Sequence, residues 1–296
     1  MVTPQLKRRI RMAAIHFLNP APLMWDFEHE PRRSDLRERY QIGYTTPSWC
    51  ARELAAGEAD IGLVPVAAYA TTPSLVIVPG CAIAALDRVR SILLVVRPQR
   101  GVSEQGVSAV RTVAADTSSR TSNAYTRILF DIFWKVPAVF VPHPPVLESM
   151  LAVADAALLI GDPALLALED KAAREIRTGE RLLYLDLAHE WHGFTGLPWV
   201  SAFWAIRPGA LEETGASASE LVAELQSSRD HGLAHLDDLA EEWSTRIEVP
   251  RETIRFYLTN NIHYILDEAC LRGLDAFYRY AAKCGALPAA PPLKLL

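Results

Sequence analysis

Cysteine is scarce in this chain: four in 296 residues, at positions 50, 81, 270 and 284. Their spacing matches no zinc or redox motif and is too sparse for a disulfide scaffold, so a reduced, cytoplasmic setting is expected. A basic surface is lacking as well. Lys and Arg number 30 against 35 Asp and Glu, for a net charge of −5 and no basic block. Nucleic acid is therefore excluded as the principal partner, because phosphate neutralisation needs clustered positive charge. Residues 61–86 carry no charge, yet Pro65, Pro73 and Pro79 with Gly62 and Gly80 break them into strand-sized pieces rather than a membrane span. LKRRIRMAAIHFL has the basic start of a signal peptide, but its apolar part, 12–18, is short and no small-residue cleavage site follows. Neither targeting nor membrane insertion is expected. Internal repeats and low-complexity linkers are absent.

The standard catalytic signatures are missing too. Gly101 and Gly106 have the spacing of a phosphate loop, but Val107 stands where the lysine is required. His189-Glu190-Trp191-His192 resembles a zinc-protease motif with its second histidine one position early, so the i,i+4 ligand spacing of that motif is lost and a metal is not expected. His231 and His235 do have i,i+4 spacing, followed by Asp237 and Asp238, but no third ligand is indicated and a solvated polar helix accounts for them. There is no G-x-S-x-G elbow and no G-x-G-x-x-G after a strand. Metal, nucleophilic and dinucleotide chemistry gain no support, and no cofactor is expected.

What is present is a chain 50% hydrophobic and 22% charged, with ample material for a core. RMAAIHF at 11–17 reads as a buried strand stopped by Asn19-Pro20-Ala21-Pro22. Residues 46–56 read as a helix, with Pro47 in its first turn and Gly57 as its stop. DIGLVP at 60–65 is a strand again, and this order implies parallel strands covered by helices. Further strands are expected at 90–96, 110–115, 156–160 and 199–206, and helices at 121–133, at 147–154 and after Gly161-Asp162-Pro163. Beyond Pro208 the pattern is helical, with a last helix running from Pro250 towards Gly285. Helices gathered at one end suit a discontinuous α/β layout. Residues 1–95 with 206–296 would form one lobe, including the C-terminal helices, and 96–205 the other, with a ligand cleft between them.

Three polar loops fall at strand ends: Leu18-Asn19-Pro20, Gly161-Asp162-Pro163 and DTSSRTS at 116–122. The third is the richest. Thr117, Ser118, Ser119, Thr121 and Ser122 crowd the start of a helix where one capping hydroxyl suffices, and Arg120 offers a bidentate contact to a carboxylate. Helix starts carry unpaired N–H groups and partial positive charge, so this loop points to an anionic ligand. Asp162 could equally cap its helix, and Asn19 could bond only its own backbone.

HFLNPAPL at 16–23, ELAAGEADIGLVPVAAY at 53–69, VRSILLV at 89–95, DTSSRTS, ALLIGDPAL at 157–165 and LAHEWHGFTGLPWVSAFWA at 187–205 occur in this order. Together they resemble chorismate dehydratase of the futalosine route to menaquinone. The resemblance covers roughly residues 10–206 and implies a two-lobed fold similar to type II periplasmic binding proteins. It further implies loss of water from chorismate, a small dicarboxylate, giving 3-[(1-carboxyvinyl)oxy]benzoate without metal or organic cofactor. Two positions depart from the family: His16-Phe17-Leu18-Asn19 stands for Ser-Tyr-Leu-Asn, and Val64-Pro65-Val66 for Ile-Pro-Ser, which removes a hydroxyl near the cleft.

By this resemblance, Ser118, Ser119, Thr121 and Ser122 would bind one substrate carboxylate. Ser91 and Gly161-Asp162 would contact the ring substituents or the other carboxylate, and Asn19 would orient the reacting centre. The base would be the substrate's own enolpyruvyl carboxylate or Asp162. The competing expectations are a solute-binding protein for a small carboxylate and the related naphthoate-forming enzyme of the same pathway.

Overall fold

The computed structural model describes residues 7–72, 74–98, 106–116 and 118–296. Thr117 and most of the glycine-paired loop, 101–105, lie outside the described residues. The strands are β1 (Ile10–Ile15), β2 (Tyr40–Thr45), β3 (Ile61–Pro65), β4 (Val76–Ala85), β5 (Ile92–Val96), β6 (Thr112–Asp116), β7 (Val139–His143), β8 (Ala156–Ile160), β9 (Leu183–Asp186) and β10 (Trp199–Ile206). They form two five-stranded sheets, in the orders β2-β1-β3-β10-β4 and β7-β6-β8-β5-β9. The protein is thus α/β with two sheets, and five helices matter most for the site: α1 (Pro47–Ala56), α2 (Arg120–Ile128), α3 (Asp162–Glu169), α4 (Leu187–Thr195) and α5 (Glu268–Lys283).

Local sequence explains these elements. Pro47 opens α1 and Gly57, at φ 71°, ends it in the left-handed region that glycine enters without strain. The unbroken apolar runs ILLVV and AALLI become β5 and β8, strands buried on both faces within their sheet.

The sheets are mixed rather than parallel. β1 runs parallel to β2 and β3, but β10 is antiparallel to both β3 and β4. In the second sheet β5 is antiparallel to β8 and β9, while β6 is parallel to β7 and β8. This pairing also places the expected crossings differently. β5 lies in the second sheet and β10 in the first, so the chain passes between sheets ahead of β5 and returns between β9 and β10. Each reversed strand enters its sheet from the cleft side, which is why both crossings border the cleft.

The last helix expected from Pro250 to Gly285 is two. Arg251–Phe256 runs into a wide π-type turn, Tyr257–Asn261, and α5 begins only at Glu268. Between them His263 exchanges backbone hydrogen bonds of 2.7 and 2.9 Å with Ala84 at the edge of the first sheet, which draws the chain out of helical conformation.

The two sheets share an aromatic core. Tyr125 of α2 stacks on Trp199 of β10 at 3.6 Å and on Phe277 of α5 at 4.2 Å, with Trp191 of α4 edge-on at 4.9 Å. Its hydroxyl bonds the Val200 backbone. Rings at these separations attract beyond their burial, so this cluster fastens α2 to the first sheet beside the cleft. Among the described residues no helix is long and apolar enough to cross a membrane.

Candidate active site

The strand ends and the crossing segments enclose a cavity of about 310 Å³. Leu18, Asn19 and Pro20 reach it from the end of β1, Ser118, Ser119, Thr121 and Ser122 from the end of β6, and Gly161 and Asp162 from the end of β8. Ser91 enters from the crossing ahead of β5. The three polar loops and Ser91 are therefore brought to one place.

Ser119 is the N-cap of α2: its Oγ accepts the Ser122 N–H at 3.2 Å and lies 3.1 Å from Ser122 Oγ. The loop before it is pinned by Asp116, whose carboxylate accepts the Ser118 N–H at 2.8 Å, and by Asn123, whose side chain donates to the carbonyls of Asp116 and Ser119. Thr121 Oγ1 accepts the backbone N–H of Ala67 at 3.2 Å and is buried, so it joins the loop to the other sheet. Arg120 is exposed and does not line the cavity. Thr117 is outside the described residues.

Ser91 is buried; its backbone carbonyl accepts the Gly161 N–H at 2.7 Å and its Oγ accepts the Tyr257 phenol at 2.9 Å. Gly161 takes φ 70° and ψ −139°, a conformation that glycine supplies, and is the N-cap of α3. Asp162 is the first helical residue and makes no capping bond. Its half-buried carboxyl has no hydrogen-bond partner among the described residues, and burial raises its pKa. The Asn19 side chain, half-buried at the cavity, likewise makes no hydrogen bond to a described residue.

No Lys, Arg or His among the described residues lines the cavity. Its donors are neutral hydroxyls and an amide, and its walls are apolar, from Ile15, Ile83, Ile92, Ile160 and Leu165. Such a site holds a small ligand with several oxygen atoms against an apolar body. Two polar lining residues escaped the sequence: Tyr257 and Ser201. Ser201 had a signal, as the one hydroxyl within the otherwise apolar WVSAFWAI. Tyr257 had none, because the turn that presents it follows no familiar pattern.

Of the family departures, Phe17 lines the cavity, while His16 and Val66 do not. His16 is exposed and lies 3.4 Å from Arg246, while Val66 is fully buried behind Pro65. Three of the four paired histidines are engaged elsewhere: His189 with Asp87 at 2.5 Å, His231 with Asp26 at 2.8 Å, and His235 stacked on Trp25 at 4.3 Å. Among the described residues one cluster has metal-ligand composition, His263, Asp267 and Cys270, with ligand atoms within 4.8 Å of one another. There Asp267 caps α5 through the Cys270 N–H at 2.8 Å and meets His263 at 2.9 Å. The cluster does not line the cavity.

The profile of the menaquinone biosynthesis family matches residues 10–283. The chain belongs to the menaquinone biosynthesis family. The family match runs from the first residue of β1 to the last of α5, so it takes in both sheets and the C-terminal helices. A chorismate dehydratase from Thermus thermophilus is 30% identical over 263 residues, covering 86% of this chain and 90% of that one. Among solved structures, an Archaeoglobus fulgidus protein superposes with TM-score 0.69 at 16% identity, covering 95% of this chain and 99% of that one. The periplasmic aliphatic sulphonate binding protein of Escherichia coli superposes with TM-score 0.64 at 13% identity, covering 98% and 94%. The fold of this family member is that of a periplasmic binding protein.

Proposed function

We propose that the protein is a carbon–oxygen lyase that removes water from chorismate, giving 3-[(1-carboxyvinyl)oxy]benzoate on the futalosine route to menaquinone. The observation that carries this reading is the cavity itself: neutral donors at three loop ends, apolar walls for a ring, and Asn19 and Asp162 facing it without hydrogen-bond partners among the described residues. The similarity to a chorismate dehydratase over most of the chain supports the choice of substrate.

The reaction breaks the C3–H and C4–O bonds of the ring and forms C3=C4, which makes the ring aromatic. A site for it must hold both carboxylates and orient C3–H without supplying much charge of its own. Ser118, Ser119 and Ser122 hold one carboxylate, Ser91 and the Gly161-Asp162 turn the other. The Asn19 amide orients the reacting centre, and the C3 proton passes to the substrate's enolpyruvyl carboxylate. An amide is too weak a base for that step, and Asp162 is the protein's own alternative acceptor. The hydroxyl leaves with a proton, as water.

The same proposal assigns two lobes meeting at the cavity, with β5 in the second and β10 in the first, and a cytoplasmic location. Incubation with chorismate tests it. A product lighter by one water supports the lyase, whereas tight binding of unchanged chorismate would leave only a solute-binding protein.

A further inference from the structure

Tyr257 and Ser91 lie 166 positions apart in sequence and meet at the cavity wall. Tyr257 is 2% exposed and Ser91 5%, and the phenol donates to Ser91 Oγ at 2.9 Å. The serine oxygen is thus an acceptor in this pair. Its own proton has no acceptor among the described residues. A buried hydroxyl proton is normally bonded, and the place left for its acceptor is the cavity.

The segment that carries Ser91 is held from several sides. The buried Asp186 carboxylate accepts the N–H groups of Val89 and Arg90 at 3.2 and 2.7 Å, and Gly161 donates to the Ser91 carbonyl. Asn261 donates to the Arg88 carbonyl at 3.0 Å. Tyr257 and Asn261 are the first and last residues of one π-type turn, so a single irregular turn presents both groups to the same crossing. Turns of this kind recur at functional sites because they re-aim side chains that a regular helix would stack.

We propose that Tyr257 is a positioning residue: by occupying the acceptor side of the Ser91 hydroxyl, it aims the serine proton into the cavity at a carboxylate oxygen of the substrate. The identity of that carboxylate rests on the dehydratase reading above. Both protons stay on their own oxygens. Burial, with the charges of Asp162 and Asp186 adding to it, pushes the Tyr257 pKa above its usual range, so the phenol remains a donor at neutral pH. Without it the serine hydroxyl has three staggered orientations to choose from, and its charge-assisted bond to the ligand is no longer pre-set.

The test compares Ser91→Ala, Tyr257→Phe and the double variant. It measures kcat/KM with chorismate and, by calorimetry, the Kd of the unreactive product 3-[(1-carboxyvinyl)oxy]benzoate. Tyr264→Phe is the control, since it deletes a phenol that is equally buried and has no hydrogen-bond partner among the described residues. Each single variant is expected to weaken product binding about tenfold, with the double no weaker than Ser91→Ala alone and Tyr264→Phe at wild-type affinity. Wild-type affinity in Tyr257→Phe, or losses that multiply in the double, overturns the proposal while leaving the dehydratase reading intact. A wild-type protein that neither turns over chorismate nor binds the product overturns both. Should Tyr257→Phe fail to fold, Ser91→Ala keeps the proposal falsifiable: undiminished product binding overturns it.

Discussion

Thr121 Oγ1 accepts the backbone N–H of Ala67 at 3.2 Å, in a buried contact between α2 of the second sheet and the chain just after β3 of the first. One hydroxyl of the donor-rich loop therefore holds the two sheets together. Thr121→Val keeps the shape but leaves the Ala67 N–H unpaired, which costs about 1–3 kcal/mol when the group is buried. Urea unfolding is expected to show that loss, with kcat/KM falling less than in Ser119→Ala.

Ser119→Ala removes the cap of α2 and a donor facing the cavity in one step. The cap is worth about 1 kcal/mol of stability, and the lost charge-assisted bond about 1.5–3 kcal/mol of binding. Calorimetry with the dehydration product should therefore show a loss beyond the one seen in thermal unfolding. Equal losses would reduce Ser119 to a cap.

The Asn19 side chain makes no hydrogen bond to another described residue. Asn19→Ala is expected to unfold at the wild-type temperature while kcat falls about 100-fold, the usual effect of deleting one preorganised polar group. Undiminished kcat would take Asn19 out of the mechanism.

Asp162 carries a pH signature. Burial raises its folded pKa above the ordinary carboxylate value, so the folded state holds its proton more tightly than the unfolded chain does. Its contribution favours the fold below the unfolded pKa and is lost as pH rises through the folded value. Asp162→Asn should remove that fall, so the gap in unfolding free energy between variant and wild type widens in the variant's favour from acid to neutral pH. A constant gap would mean that the carboxyl titrates alike in both states.

Much of the architecture was legible in the sequence because it depends on local chemistry. Pro47 and Gly57 bracket α1, and the apolar runs of β5 and β8 are strands by composition alone. Asn19, Ser118, Ser119, Ser122, Gly161 and Asp162 stand out by their loops and Ser91 by the family resemblance, and all line the cavity. What the sequence hid depends on partners distant along the chain. The direction of β10 is set by β3 and β4, and the break before α5 by Ala84. Tyr257 enters the site through a π-type turn, and Arg120 is exposed and does not line the cavity.

The central claim is dehydration, and mass spectrometry of chorismate incubated with the purified protein tests it most directly. The expected result is enzyme-dependent appearance of an aromatic product lighter than chorismate by one water, formed without added metal or cofactor. Chorismate recovered unchanged, at protein concentrations high enough to bind it, would contradict the account.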